Sequence, residues 1–164
     1  MARLVLVGLP GSGKSTVALE LGRALGVTTC DTDDTIAERV GSTVGDYLRA
    51  VGEATFRSVE LAALLDCVGH DAVVATGGGV VESESARDLL ARELTVWLDA
   101  PDEVLVGRIA GGDRPLLGGE PAYAIAALRR KRSAWYEAVA TARVDATGSV
   151  ADVSARVRRA MIAI

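Results

Sequence analysis

Gly8-Leu9-Pro10-Gly11-Ser12-Gly13-Lys14-Ser15 opens on glycine, repeats it, and closes on a lysine and a serine. Glycines so spaced let the backbone curl until several N–H groups converge on one oxyanion. A helix starting just beyond adds its positive end. The motif reads as the phosphate loop of a nucleoside triphosphate site. Gly11, Ser12, Gly13, Lys14, Ser15 and Thr16 are the expected contacts. Lys14 would reach the β- and γ-phosphates, and the Ser15 hydroxyl would ligate Mg2+.

Other segments could act on an acceptor. In Asp31-Thr32-Asp33-Asp34, an extended chain puts Asp31 and Asp33 on one face, about 6–7 Å apart. One carboxylate could join the Mg2+ shell while the other accepts a hydroxyl proton; Asp34 is left to cap a helix from Thr35. Arg57 and Glu60 stand three apart on a helical pattern. They read either as a surface ion pair or as a guanidinium that Glu60 aims at a substrate carboxylate. Gly77-Gly78-Gly79 offers bare backbone against which a sugar-like ring could lie. Arg114, in Arg114-Pro115-Leu116-Leu117, could close over the transferring phosphoryl group. Arg129, Arg130 and Arg132 share a helix whose arginines read mostly as a solvated face, and His70 has no partner for a triad.

Short apolar runs alternate with helical patterns and must position these groups. Strands are expected at Leu4–Val7, Val27–Asp31, Ala72–Ala75, Leu94–Leu98 and Ala142–Ala146. Helices are expected at 15–25, 35–40, 44–51, 54–68, 84–91, 102–110, 123–140 and 150–162. Such alternation implies a parallel sheet covered by helices on both faces. The rhythm breaks twice, at the short helices after the second strand and at the Gly- and Pro-rich loop 111–121. Long insertions of that kind often serve as lids or binding segments.

The 164 residues suit one domain. With 49% hydrophobic residues the chain is not disordered. A net charge of −4 argues against a nucleic-acid binder. Lys14 and Lys131 are the only lysines among 18 basic residues, so few positions can supply a mobile ammonium. Cys30 and Cys67 are expected to be two separate buried thiols in a reducing cytoplasm. No apolar stretch predicts a signal peptide or a membrane span. Neither lysine lies in the Asn/Thr-Lys-x-Asp segment a GTPase needs, and Asp66-Cys67-Val68-Gly69 falls at a helix end. Chain length and the lid-like loop favour a small-molecule kinase over a motor ATPase.

Together these segments resemble the shikimate kinase family over nearly the whole chain, in order. The resemblance rests on the phosphate loop, Asp31-Thr32-Asp33, Gly52-Glu53 through Phe56-Arg57 to Glu60, the triple glycine, Arg114-Pro115-Leu116-Leu117, and Lys131-Arg132-Ser133-Ala134-Trp135-Tyr136. It implies a single three-layer P-loop kinase domain over 1–164. A five-stranded parallel sheet in order 2-3-1-4-5 would have helices on both faces, substrate-binding helices at about 33–62 and a lid at about 111–121. It implies transfer of the γ-phosphate of ATP to the 3-hydroxyl of shikimate, on the chorismate route to aromatic amino acids. Asp33 would hold the ring hydroxyls and act as base. Arg57 and Arg132 would hold the carboxylate, with Glu60 orienting Arg57 and Gly77, Gly78 and Gly79 at the ring. Asp31 and Ser15 would serve one Mg2+ per subunit. Lys14 and Arg114 would complete the catalytic set, and Arg108 resembles an adenine-stacking arginine. Leu48 stands where members usually carry an aromatic. A cytoplasmic monomer is expected, with no nucleic-acid or membrane partner. A gluconate kinase would need neither this arginine pair nor the triple glycine. A degenerate regulatory domain would have lost Asp33, Lys14 or Arg114, and all three are present.

Overall fold

The computed structural model describes residues 1–110 and 120–164. Arg114 and nearly all of the expected lid lie outside the described residues. Leu4–Val7 forms β1, apolar and buried at every position because it is covered on both faces. Around it run β2 (Thr28–Asp31), β3 (Ala72–Ala75), β4 (Thr95–Asp99) and β5 (Ala142–Asp145), all parallel in the order β2-β3-β1-β4-β5. The register pairs Leu4 with Val73 on one side of β1 and Val5 with Thr95 on the other.

Eight helices complete the described chain: α1 (Lys14–Leu25), α2 (Thr32–Val40), α3 (Val44–Val51), α4 (Glu53–Val68), α5 (Glu84–Leu90), α6 (Asp102–Ala110), α7 (Pro121–Val139) and α8 (Val150–Ile162). A single 3-10 turn, Val80–Glu82, follows the triple glycine. Helices α1 and α8 pack together on one face, while α4 and α7 pack against β3 and β4 on the other. The chain thus leaves β1 toward one face and β3 toward the other. That opens a crevice between their carboxyl ends, where open α/β sheets bind ligands. A second small core, Ile36, Phe56 and Ala63, joins α2, α3 and α4, with Leu48 half-buried against it. Among the described residues no helix is long and apolar enough to cross a membrane.

Most boundaries fall within one residue of expectation, and two helix starts differ by more, for local reasons. Helix α2 begins at Thr32, three residues early, because the Asp31 side chain accepts the Asp33 N–H at 2.9 Å and caps the helix itself. Helix α7 begins at Pro121, whose fixed φ suits a first helical position.

The cysteines overturn the expectation of two separate thiols. Cys30, in β2, and Cys67, near the end of α4, form a disulfide with their Cα atoms 5.6 Å apart. The 37-residue spacing gave no sign of it. Two short helices and α4 fold the chain back, and the Thr35 hydroxyl of α2 lies 3.6 Å from each sulfur.

Candidate active site

The phosphate loop turns from β1 into α1 through left-handed backbone at Gly11 (φ 82°) and Gly13 (φ 88°). A side chain at Gly11 would also meet the Leu105 carbonyl at 2.8 Å. Lys14 is buried across the loop and donates to the Gly8 carbonyl at 2.9 Å and the Leu9 carbonyl at 3.1 Å. Its ammonium therefore sits over the cradle the glycines form. On the outer side, Arg108 of α6 donates to the Gly11 carbonyl at 3.2 Å and the Ala146 carbonyl at 2.8 Å. It ties the phosphate loop to the segment after β5.

The Ser15 hydroxyl donates to Asp31 Oδ2 at 2.5 Å. A hydroxyl and a carboxylate so placed can share one hard cation. Mg2+ is usually held by one or two carboxylates, waters and substrate phosphates rather than by an all-protein cage. Among the described residues no cluster of three or more His, Cys, Asp or Glu offers such a cage. The donor set thus fits Mg2+ brought in with a nucleotide.

Asp31 and Asp33 do not share an extended face as expected. Asp31 ends β2, and Asp33 sits in the first turn of α2. Both still serve the same crevice, because the turn swings Asp33 toward the loop after β3. The Gly77 N–H donates to Thr32 Oγ1 at 3.0 Å, which pins that loop to the start of α2.

The triple glycine leaves room for side chains of the site itself. None of the three glycines has a positive φ. A Cβ at Gly77 would lie 2.7 Å from Asp33 Oδ1 and 3.1 Å from Glu60 Oε1. One at Gly78 would lie 3.5 Å from Arg132 Nη1, and one at Gly79 2.6 Å from Arg57 Nη1. Three consecutive residues thus carry a carboxylate pair and two guanidinium groups across their bare faces.

Arg57 is not a surface ion pair. Its Nη1 donates to the buried Glu60 at 2.7 Å, and its buried Nε has no partner among the described residues. Burial pushes the Glu60 carboxyl above its ordinary value; Arg57 pulls it down and the Asp33 charge adds to the rise. The arginines of α7 also depart from a solvated face. Arg132 is buried, and Arg129 is held by Asp99 and Asp102 at 2.8 and 2.5 Å, while Arg130 is exposed.

Two residues escaped the sequence reading. Tyr136, one turn beyond Arg132, is fully buried and donates its hydroxyl to the Gly78 carbonyl. Glu82 holds Arg132, Lys131 and, more distantly, Arg57. Neither could be found by local spacing: Gly78 lies 58 residues from Tyr136, and Lys131 and Arg132 lie 49 and 50 residues from Glu82.

This arrangement has close counterparts. The family model for shikimate kinase matches residues 10–162. The chain belongs to the shikimate kinase family. A shikimate kinase of Mycobacterium tuberculosis is 44% identical over 149 residues, covering 87% of this chain and 83% of the relative. The structure of an Acinetobacter baumannii shikimate kinase in complex with shikimate superposes with a TM-score of 0.91 at 30% identity, covering 98% of this chain and 92% of that one. A Bacteroides thetaiotaomicron shikimate kinase gives 0.90 at 28% identity, with 99% of both chains covered. The activity of the shikimate kinase family is the ATP-dependent phosphorylation of shikimate on its 3-hydroxyl, within aromatic amino acid biosynthesis.

Proposed function

We propose the following division of labour for that reaction in this chain. Asp33 accepts the proton of the 3-hydroxyl as it attacks the γ-phosphorus. Arg57 and Arg132 grip the carboxylate of shikimate, each able to offer paired N–H donors. Glu60 orients Arg57, and Gly77, Gly78 and Gly79 lie against the ring. Gly11, Ser12, Gly13, Ser15 and Thr16 receive the ATP phosphates. Lys14 neutralises charge on the β–γ bridge as it breaks, and Arg108 borders the base. Arg114 supplies a further cation when the site closes. Ser15 and Asp31 would hold one Mg2+, which supplies charge neutralisation to the phosphates. Phosphoryl transfer of this kind relies on positioning and electrostatics rather than covalent chemistry.

One observation carries this reading. Gly77 and Gly79 place a candidate base, Asp33 Oδ1, and a candidate carboxylate clamp, Arg57 Nη1, on one short turn at the crevice. A ring bearing both a hydroxyl and a carboxylate is what such a pair can bind. We further place the enzyme in the cytoplasm, where ATP is supplied, as a monomer. The test follows ADP release from Mg-ATP with shikimate, gluconate, adenylate or no acceptor, in the wild type and in Arg57→Lys. Turnover should need shikimate, and Arg57→Lys should raise the shikimate KM while sparing that for ATP. Equal turnover with gluconate would overturn the assignment of the clamp.

A further inference from the structure

Glu82 ends the 3-10 turn that follows the triple glycine, and its N–H donates to the Gly79 carbonyl at 2.9 Å. Its side chain is only 8% exposed. Oε1 accepts from Arg132 Nε at 2.8 Å and Nη2 at 2.7 Å. Oε2 accepts from Lys131 Nζ at 2.7 Å and lies 3.4 Å from Arg57 Nη2. The carboxylate thus takes the Nε edge of the Arg132 guanidinium. The opposite nitrogen, Nη1, is left across the bare face of Gly78. Glu60 holds Arg57 differently, at 2.7 Å through Nη1, the nitrogen that itself lies across Gly79.

We propose that Glu82 is a positioning residue for the acceptor carboxylate: it holds Arg132 by one edge, and through it sets the geometry of the two-arginine clamp. A free arginine side chain carries rotamer entropy that binding would otherwise have to remove. A guanidinium already fixed at its rear edge meets an incoming carboxylate in one orientation. Lys131 and Arg132 together offset the burial of Glu82 and keep its carboxyl ionised, with a pKa of about 2. Its position behind the arginines, away from solvent, makes it a support for the clamp rather than a rival for its ligand.

This inference rests on the reading of Arg57 and Arg132 as the carboxylate clamp. The test measures KM for shikimate, KM for Mg-ATP and kcat in Glu82→Ala, Glu82→Gln and Arg57→Lys, with folding checked by circular dichroism. Glu82→Ala should raise the shikimate KM about tenfold, the scale of a weakened charge-assisted hydrogen bond. The ATP KM and kcat should stay within about twofold. Glu82→Gln keeps an oxygen for Arg132 and should recover part of the loss, ending roughly threefold above wild type. Should Glu82→Ala fail to fold, the Gln variant decides, and an unchanged shikimate KM there overturns the proposal. A lower shikimate KM in either Glu82 variant makes Glu82 a competitor and overturns it, as does an equal rise for both substrates. If Arg57→Lys raises the shikimate KM and neither Glu82 variant does, only the role of Glu82 fails. If Arg57→Lys has no effect, the clamp itself fails.

Discussion

Gly79→Ala asks one methyl group to take the place of a guanidinium. Gly79 has φ −89° and ψ −1°, which alanine adopts without strain. Its Cβ would lie 2.6 Å from Arg57 Nη1, 2.7 Å from Nη2 and 3.0 Å from Cζ. Ordinary contact begins near 3.4 Å, so the guanidinium must retreat by about 0.8 Å. The end of a long side chain can make that move, so the fold should survive. Alanine also has less freedom than glycine in the unfolded chain, which adds about 0.4–1 kcal/mol of stability. The retreat takes Arg57 away from its acceptor and strains its 2.7 Å bond to Glu60. A charge-assisted hydrogen bond contributes about 1.5–3 kcal/mol. Its loss predicts a shikimate KM raised roughly 10- to 150-fold. Coupled ADP release gives both KM values, and a thermal scan gives Tm. The expected pattern is a large shikimate effect, an unchanged ATP KM and an equal or higher Tm. An unchanged shikimate KM, or a Tm that falls by several degrees, would refute the view that this glycine exists to admit Arg57.

Lys14→Ala should keep the fold and lose at least about 10²-fold in turnover, the scale of a lost electrostatic stabiliser; residual turnover above about a tenth would count against its role. Asp33→Asn should cost about 10²–10⁴-fold in rate. Asp34→Asn should change stability by at most about 1 kcal/mol, because Asp31 rather than Asp34 caps α2; a catalytic collapse at 34 would reverse the assignment. The disulfide closes a loop with a separation of 37 residues, and chain entropy puts that at about 4 kcal/mol. Cys67→Ala should therefore lower Tm by roughly 8–16 °C, and air-oxidised wild type in guanidinium should titrate no thiol until reduced. Glu82 has its folded pKa depressed from 4.5 to about 2, first opposed by burial and then driven by Lys131 and Arg132. Its contribution is present in full above the unfolded value and lost as pH falls toward the folded one. The stability advantage of wild type over Glu82→Gln should be complete above about pH 5.5 and gone near pH 2 in denaturant titrations, and a pH-independent difference would contradict it.

Local rules decided much of this protein from the chain alone. The buried run Leu4–Val7, the glycine spacing of the phosphate loop and the helical periods at 44–51, 102–110 and 150–162 each satisfy their own geometry, and the structure keeps those bounds. Sheet order and family followed from the motifs taken in sequence. The rest needed contacts between distant elements. Asp31 could be seen as a cap only once the β2–α2 turn closed on it. Cys30 meets Cys67 because α2, α3 and α4 fold the chain back on β2. Spacing left Arg57 open between a surface ion pair and a clamp, and only the fold shows that its Glu60 partner is buried and that Gly79 lies beside it. Glu82 carries no local signature at all, since its partners Lys131 and Arg132 arrive on α7 from 49 and 50 residues away. Periodicity and turn chemistry act within a few residues, and one sequence can display them. A buried charge is defined by what the folded chain packs around it, and only the tertiary structure brings those groups together.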